Sequence, residues 1–154
     1  GIFARYLNKP EATEEAFEDG WFRTGDQAEV DTDGYWRIVG RCKNMLVPTS
    51  GHNVAPEPIE QKVIETIEGV EQAVLVGHAK PFLSAIISGP ADKDTVEMGI
   101  QRINDDLPHY RRIRRYILAD EPFSIENGLL TANRKLRRQA IEQAYANKVE
   151  EMYQ

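Results

Sequence analysis

PIEQKVIETIEGVEQAVLVGHAKPFLSAIIS, residues 58–88, changes period part-way along and thereby fixes the kind of fold. Ile59, Val63, Ile64 and Ile67 recur at helical spacing, and Gly69 stops that helix. Val70–Gly77 and Leu83–Ser88 then read as two strands around a loop holding Pro81. Downstream, Val96, Ile100, Ile103 and Leu107 mark a second amphipathic helix, ended by Pro108. Tyr116–Ala119 reads as a third strand, and Leu136, Ala140, Ile141, Ala144 and Tyr145 mark a last helix after an Asn127-Gly128 turn. Upstream, residues 44–56 hold Pro48, Gly51, Asn53 and Pro56 and read as loop. Before them Gln27–Val30 and Tyr35–Val39 flank Asp31-Thr-Asp-Gly34, a strong hairpin signal. A short helix is expected from Asn8, with acids in its first turn. The expected class is α+β: a small domain with a three-stranded sheet flanked by helices, preceded by a β-hairpin.

The chain has 154 residues, enough for one core or for a small domain with a piece of another. A net charge of −6 argues against a general nucleic-acid binder. The single cysteine, Cys42, leaves no internal disulfide or Cys-rich zinc site and suits a reducing cytosol. No apolar run approaches the ~20 residues of a membrane span. Gly1-Ile-Phe-Ala-Arg-Tyr carries no starting methionine and no signal-peptide pattern, which suggests a segment excised from something longer. The acidic turn 31–34 lacks the remaining ligands of a calcium loop, so it reads as a plain turn. His52, His78 and His109 are scattered without ligand spacing, and no metal site is expected. The chain contains neither a Gly-x-x-x-x-Gly-Lys-Ser/Thr phosphate loop nor a Ser/His/Asp set in a nucleophile-elbow context.

Three blocks carry chemistry. Gly20-Trp-Phe-Arg-Thr-Gly-Asp26 sets a carboxylate after a glycine turn, and two acceptor oxygens on a fixed loop suit a vicinal diol such as a ribose. Gly40-Arg-Cys-Lys43 puts a planar, multi-donor arginine two residues before a lysine. Asn127-Gly-Leu-Leu-Thr-Ala-Asn-Arg-Lys-Leu-Arg-Arg138 ends in a basic run around Lys135, of which Arg137 and Arg138 are expected to be solvated. A second basic run, 111–115, could attract phosphates or an anionic lipid surface, and a solvated face is the preferred reading.

In order and spacing these blocks resemble the C-terminal part of adenylate-forming enzymes of the acyl-CoA synthetase superfamily. Gly128-Leu-Leu-Thr with Lys135-Leu-Arg-Arg, and Leu107-Pro-His-Tyr with Arg114-Arg-Tyr-Ile-Leu, look most like the long-chain fatty acid–CoA ligase branch. The resemblance implies that residues 1–42 end a large N-terminal AMP-binding domain and that 43–154 form its mobile small domain. It implies that Asp26 and Arg41 bind the nucleotide, that Lys43 is the hinge, and that Gly51 leaves room for the pantetheine arm of CoA. Lys135 becomes the catalytic lysine of adenylation; the family commonly has Gly before this lysine, and here Arg134 stands there. ATP, Mg2+, CoA and a fatty acid are the implied substrates and cofactors, and the implied partner is the chain's own N-terminal domain. The expected setting is the cytoplasm, with peripheral membrane contact and a homodimer left open. The fragment alone is expected to be inactive, because the phosphate-binding loop and acyl tunnel belong to the large domain. Two alternatives stay open: an adenylation enzyme with a carrier-protein or other acceptor, and a non-catalytic docking module.

Overall fold

The computed structural model describes residues 2–154; Gly1, the first residue of the expected 1–42 segment, lies outside them. The chain divides into two compact units after Lys43.

The first unit opens with helix α1, Pro10–Ala16, whose proline sits in the first turn where no N–H partner is needed. Two short strands, β1 (Phe17–Glu18) and β2 (Trp21–Phe22), pair antiparallel across Asp19-Gly20. Both turn residues have positive φ, +49° and +83°, as a tight Asp-Gly hairpin turn requires. This hairpin is an addition to the sequence reading. The expected second hairpin forms from β3 (Asp26–Val30) and β4 (Trp36–Arg41). The Asp31 carboxylate closes its turn by accepting from the amides of Asp33 and Tyr35 at 3.0 and 2.9 Å. Trp21, Tyr35, Trp36 and Ile38 are each more than two-thirds exposed. A turn of 3-10 helix, Cys42–Asn44, follows β4.

In the second unit, α2 (Pro56–Thr66) precedes β5 (Gln72–Val76) and β6 (Leu83–Ser88), which pair antiparallel. Helix α3 (Lys93–Asp105) then crosses over to β7 (Ile113–Leu118), which lies parallel to β6. The three strands form one sheet in the order β5-β6-β7. Alternation along β5 sends Ala73 and Leu75 to one face and Val74 and Val76 to the other. On the first face they meet Ile59, Val63 and Ile67 of α2 and its end, with Val96, Ile100 and Ile103 of α3. On the second they meet Phe123, Leu129, Leu130 and Ile141. The last two helices are α4 (Arg138–Ala144) and α5 (Ala146–Glu151). This is the expected α+β domain with a three-stranded sheet between helices.

Three local readings are corrected. β7 starts at Ile113 rather than Tyr116, because exposed Arg114 and Arg115 mask the apolar pattern of an edge strand. Residues 44–56 are not wholly loop, since Leu46 and Val54 form an antiparallel bridge and are both buried. The expected last helix is two: α4 begins at Arg138, with Leu136, expected inside it, bridging Leu130 instead, and α5 follows from Ala146.

Candidate functional site

Asp26 and Arg41 stand opposite each other in the register of β3 and β4. The preceding Gly25 has φ +72° and its carbonyl accepts from the Cys42 amide at 2.8 Å, so the chain turns tightly where the two strands end. Arg41 Nη1 donates to Asp26 Oδ1 at 2.5 Å, and the Asp26 amide donates to Thr24 Oγ1 at 3.1 Å. The Asp26 side chain keeps 25% of its surface exposed and that of Arg41 49%. A half-open carboxylate with a guanidinium held against it can accept ligand hydroxyls on one group and donate to ligand oxygens on the other.

Lys43 lies exposed in the 3-10 turn at the boundary between the units. Gly51 closes a turn in which its amide donates to Pro48 O at 2.9 Å. Its φ is +79° and a Cβ there would meet nothing within 4 Å, so backbone conformation selects glycine here, not crowding inside the unit.

Lys135 occupies the tip of a small hairpin closed by the Leu130–Leu136 bridge. Arg134 N donates to Thr131 O and Thr131 N to Lys135 O, each at 2.8 Å, and Lys135 N donates to Thr131 Oγ1 at 3.1 Å. Arg134 has φ +57°, the left-handed conformation of the residue that follows such a turn. The tip is exposed, but its base is fixed: Leu129 and Leu130 are buried in the second core face, and both amides donate to Ser124 O. The Asn127 carboxamide oxygen accepts from Ser124 N at 3.0 Å. The structure thus brings Asp26 and Arg41 together in the first unit and sets Lys135 and Gly51 on different loops of the second.

The expectation of solvated Arg137 and Arg138 holds for the first and fails for the second. Arg137 is exposed, and its Nη1 donates to Gly128 O at 2.9 Å. Arg138 instead turns inward and grips Glu60 with both arms: Nη1 to Oε1 at 2.8 Å, and Nη2 to Oε2. The Glu60 side chain is 6% exposed and that of Arg138 16%. Glu60 Oε1 also accepts from the Leu75 amide at 2.6 Å, satisfying a backbone donor of β5. Burial pushes the Glu60 carboxyl above its ordinary value, against the lowering pull of Arg138 and of the Leu75 amide. Burial also works against the Arg138 charge, but Glu60 and Glu57 outweigh it and hold the guanidinium protonated. Removing one member of a buried pair generally costs about 3–5 kcal/mol. Sequence reasoning missed this pair, although Glu60 precedes Val63 and Ile64 by three and four residues and so shares their buried face.

Residues 43–154 match the family model described as AMP-binding enzyme C-terminal domain. The chain belongs to the AMP-binding enzyme C-terminal domain family. It is 31% identical over 178 residues to the long-chain-fatty-acid–CoA ligase FadD15 of Mycobacterium tuberculosis, covering 99% of this chain and 30% of that protein. The A-PCP didomain of carboxylic acid reductase from Segniliparus rugosus, solved with AMP, superposes with a TM-score of 0.84 at 28% identity, over 99% of this chain and 23% of that one. A fatty acyl-CoA synthetase of Mycobacterium tuberculosis superposes at 0.60 with 29% identity, over 94% of this chain and 28% of that one. This AMP-binding C-terminal domain and its leading segment therefore span under a third of the curated relative's length. Among the described residues no group of three or more His, Cys, Asp or Glu side chains could hold a metal ion. No helix among them is long and apolar enough to cross a membrane.

Proposed function

We propose that this chain is the C-terminal portion of a long-chain fatty acid–CoA ligase. In the whole enzyme a fatty carboxylate oxygen attacks the α-phosphorus of ATP and pyrophosphate leaves. The sulfur of CoA then attacks the acyl carbon of the adenylate and AMP leaves. Lys135 acts in the first step. An ammonium presented at an exposed tip can approach the reacting phosphate from outside and steady charge as it gathers on phosphorus. Its base among buried leucines limits the motion of that tip. Asp26 accepts the ribose hydroxyls through the carboxylate oxygen that Arg41 does not occupy, and Arg41 donates to the nucleotide. Lys43 absorbs the change in backbone angles between two domain poses, and Gly51 borders the path of the pantetheine arm. Magnesium would arrive on the phosphates of ATP, since among the described residues no group of three or more His, Cys, Asp or Glu side chains could hold it. The upstream domain of the same enzyme would cover the exposed side chains of Trp21, Tyr35, Trp36 and Ile38.

The observation that carries this reading is the fixed hairpin that presents Lys135, in a chain 31% identical to a long-chain ligase. In the full-length enzyme, Lys135→Ala should lower adenylation, read as pyrophosphate exchange into ATP, by roughly 10²–10³-fold. Thioester formation from supplied acyl-adenylate should stay near wild type. Undiminished exchange would refute the assignment. A second reading, with a carrier-protein thiol as acceptor, draws support from the TM-score of 0.84 to the carboxylic acid reductase didomain. Offering free CoA or a phosphopantetheinylated carrier to preformed adenylate separates the two.

A further inference from the structure

Lys135 is three residues from Arg138, and that short link has a consequence. Arg138 is the first residue of α4, and its guanidinium spans to Glu60 in the middle of α2. Glu60 in turn holds the amide of Leu75 in β5. One carboxylate therefore ties a helix, the sheet edge and the foot of the lysine hairpin. The other foot is fixed by Leu129 and Leu130 in the second core face, with the Arg137 amide donating to Leu129 O at 3.0 Å. Between the two feet Thr131–Lys135 form an exposed loop, closed on itself by the Thr131 hydroxyl and carbonyl.

An apolar contact at the second foot would bury as well, but it could slide. A two-bond grip between planar groups sets distance and angle together. The grip lies under cover, where water does not compete for it, and a backbone donor fixes the carboxylate's own orientation. We propose that Glu60 is a positioning residue for the lysine: through Arg138 it sets the direction in which the hairpin presents Lys135 to the reacting phosphate. The proposal rests on the adenylation reading of Lys135 given above. A misplacement of about 1 Å at a reacting group lowers rates by roughly a hundredfold, so loosening this foot should register in that half-reaction.

The test uses the full-length enzyme and the pair Glu60→Gln with Arg138→Met, which removes both charges yet leaves an amide oxygen for Leu75 N. Arg138→Lys is the conservative companion, keeping the charge and losing the fork. The expected result for the double variant is adenylation reduced about tenfold or more in kcat, with KM for ATP and thioester formation from supplied adenylate within twofold of wild type. Arg138→Lys should fall between the two. In a Lys135→Ala background the double variant should cause no further loss of adenylation, because the group it aims is gone. Equal losses in both half-reactions, or losses that multiply with Lys135→Ala, would mean a merely structural pair and overturn the proposal. So would full adenylation in the double variant while Lys135→Ala is impaired, which leaves the lysine reading standing. Undiminished adenylation in Lys135→Ala itself overturns both. If the double variant fails to fold, by circular dichroism, Arg138→Lys alone decides on the same readouts.

Discussion

Arg134 has a backbone angle that conflicts with its identity, and the conflict sits one position before Lys135. Its φ of +57° is imposed by the turn, since Arg134 N closes onto Thr131 O and the Leu130–Leu136 bridge fixes both ends. A residue with a Cβ loses roughly 1–2 kcal/mol in this conformation. Glycine removes that loss but gives back roughly 0.4–1 kcal/mol through the freedom it adds to the unfolded chain. Arg134→Gly should therefore stabilise the second unit by about 0.5–1 kcal/mol. For a unit of this size that raises Tm by roughly 2–5 °C. The side chain is not idle, because its charge helps to hold Glu126 below the usual carboxylate value, after the backbone and Ser124 hydrogen bonds. Arg134→Ala separates the two effects: it loses the charge, keeps the Cβ and should not gain stability. Thermal unfolding followed by circular dichroism on the three proteins gives the answer. If glycine and alanine have the same Tm, or glycine the lower, the backbone argument is refuted.

Asp92 caps α3, accepting from the amide and the hydroxyl of Thr95, and these bonds hold its carboxyl below the ordinary 3.8. A depressed value means stability that is present above pH 3.8 and lost as pH falls through the lower folded value. Asp92→Asn keeps a capping oxygen but cannot titrate, so the Tm advantage of wild type over the variant at about pH 6 should shrink as pH falls below 3.8. In the full-length enzyme, Lys43→Pro fixes φ at the proposed hinge. Single-turnover assays should find thioester formation lost and adenylation retained, the reverse of Lys135→Ala; loss of the same half-reaction in both would remove the hinge assignment.

The second unit was legible wherever burial imposes a period. The apolar residues of α2 recur at helical spacing, and β5 and β6 read as near-continuous apolar runs because both faces of the sheet are covered. The start of β7 was not legible, since an edge strand tolerates Arg114 and Arg115. The hairpin of β1 and β2 has two residues per strand, too few to display alternation. Asp26 and Arg41 could be named from a resemblance, but their contact comes from strand register, including a shift between Gln27 and Ala28 that no pattern announces. Glu60 and Arg138 are 78 positions apart, and each alone has every reason to stay in water. Only the closed fold makes them a pair.

That pair also bears on why the proposed chemistry is divided as it is. Asp26 and Arg41 are held opposite each other by the register of β3 and β4, and Lys135 belongs to the other unit. On the proposed reading this separation is useful. Positive charge at the α-phosphate favours attack by a carboxylate and expulsion of pyrophosphate, but it does nothing for the later attack of sulfur on the acyl carbon. A lysine anchored beside Asp26 would remain through both steps and occupy space that the second nucleophile needs. A lysine carried by a separate rigid unit can leave between them, provided it returns each time in the same direction. On that reading, bending at the proposed hinge around Lys43 and a fixed base beneath Lys135 would satisfy those two demands separately. A buried ion pair would serve the second better than a surface one, because it is screened less by the surrounding solvent.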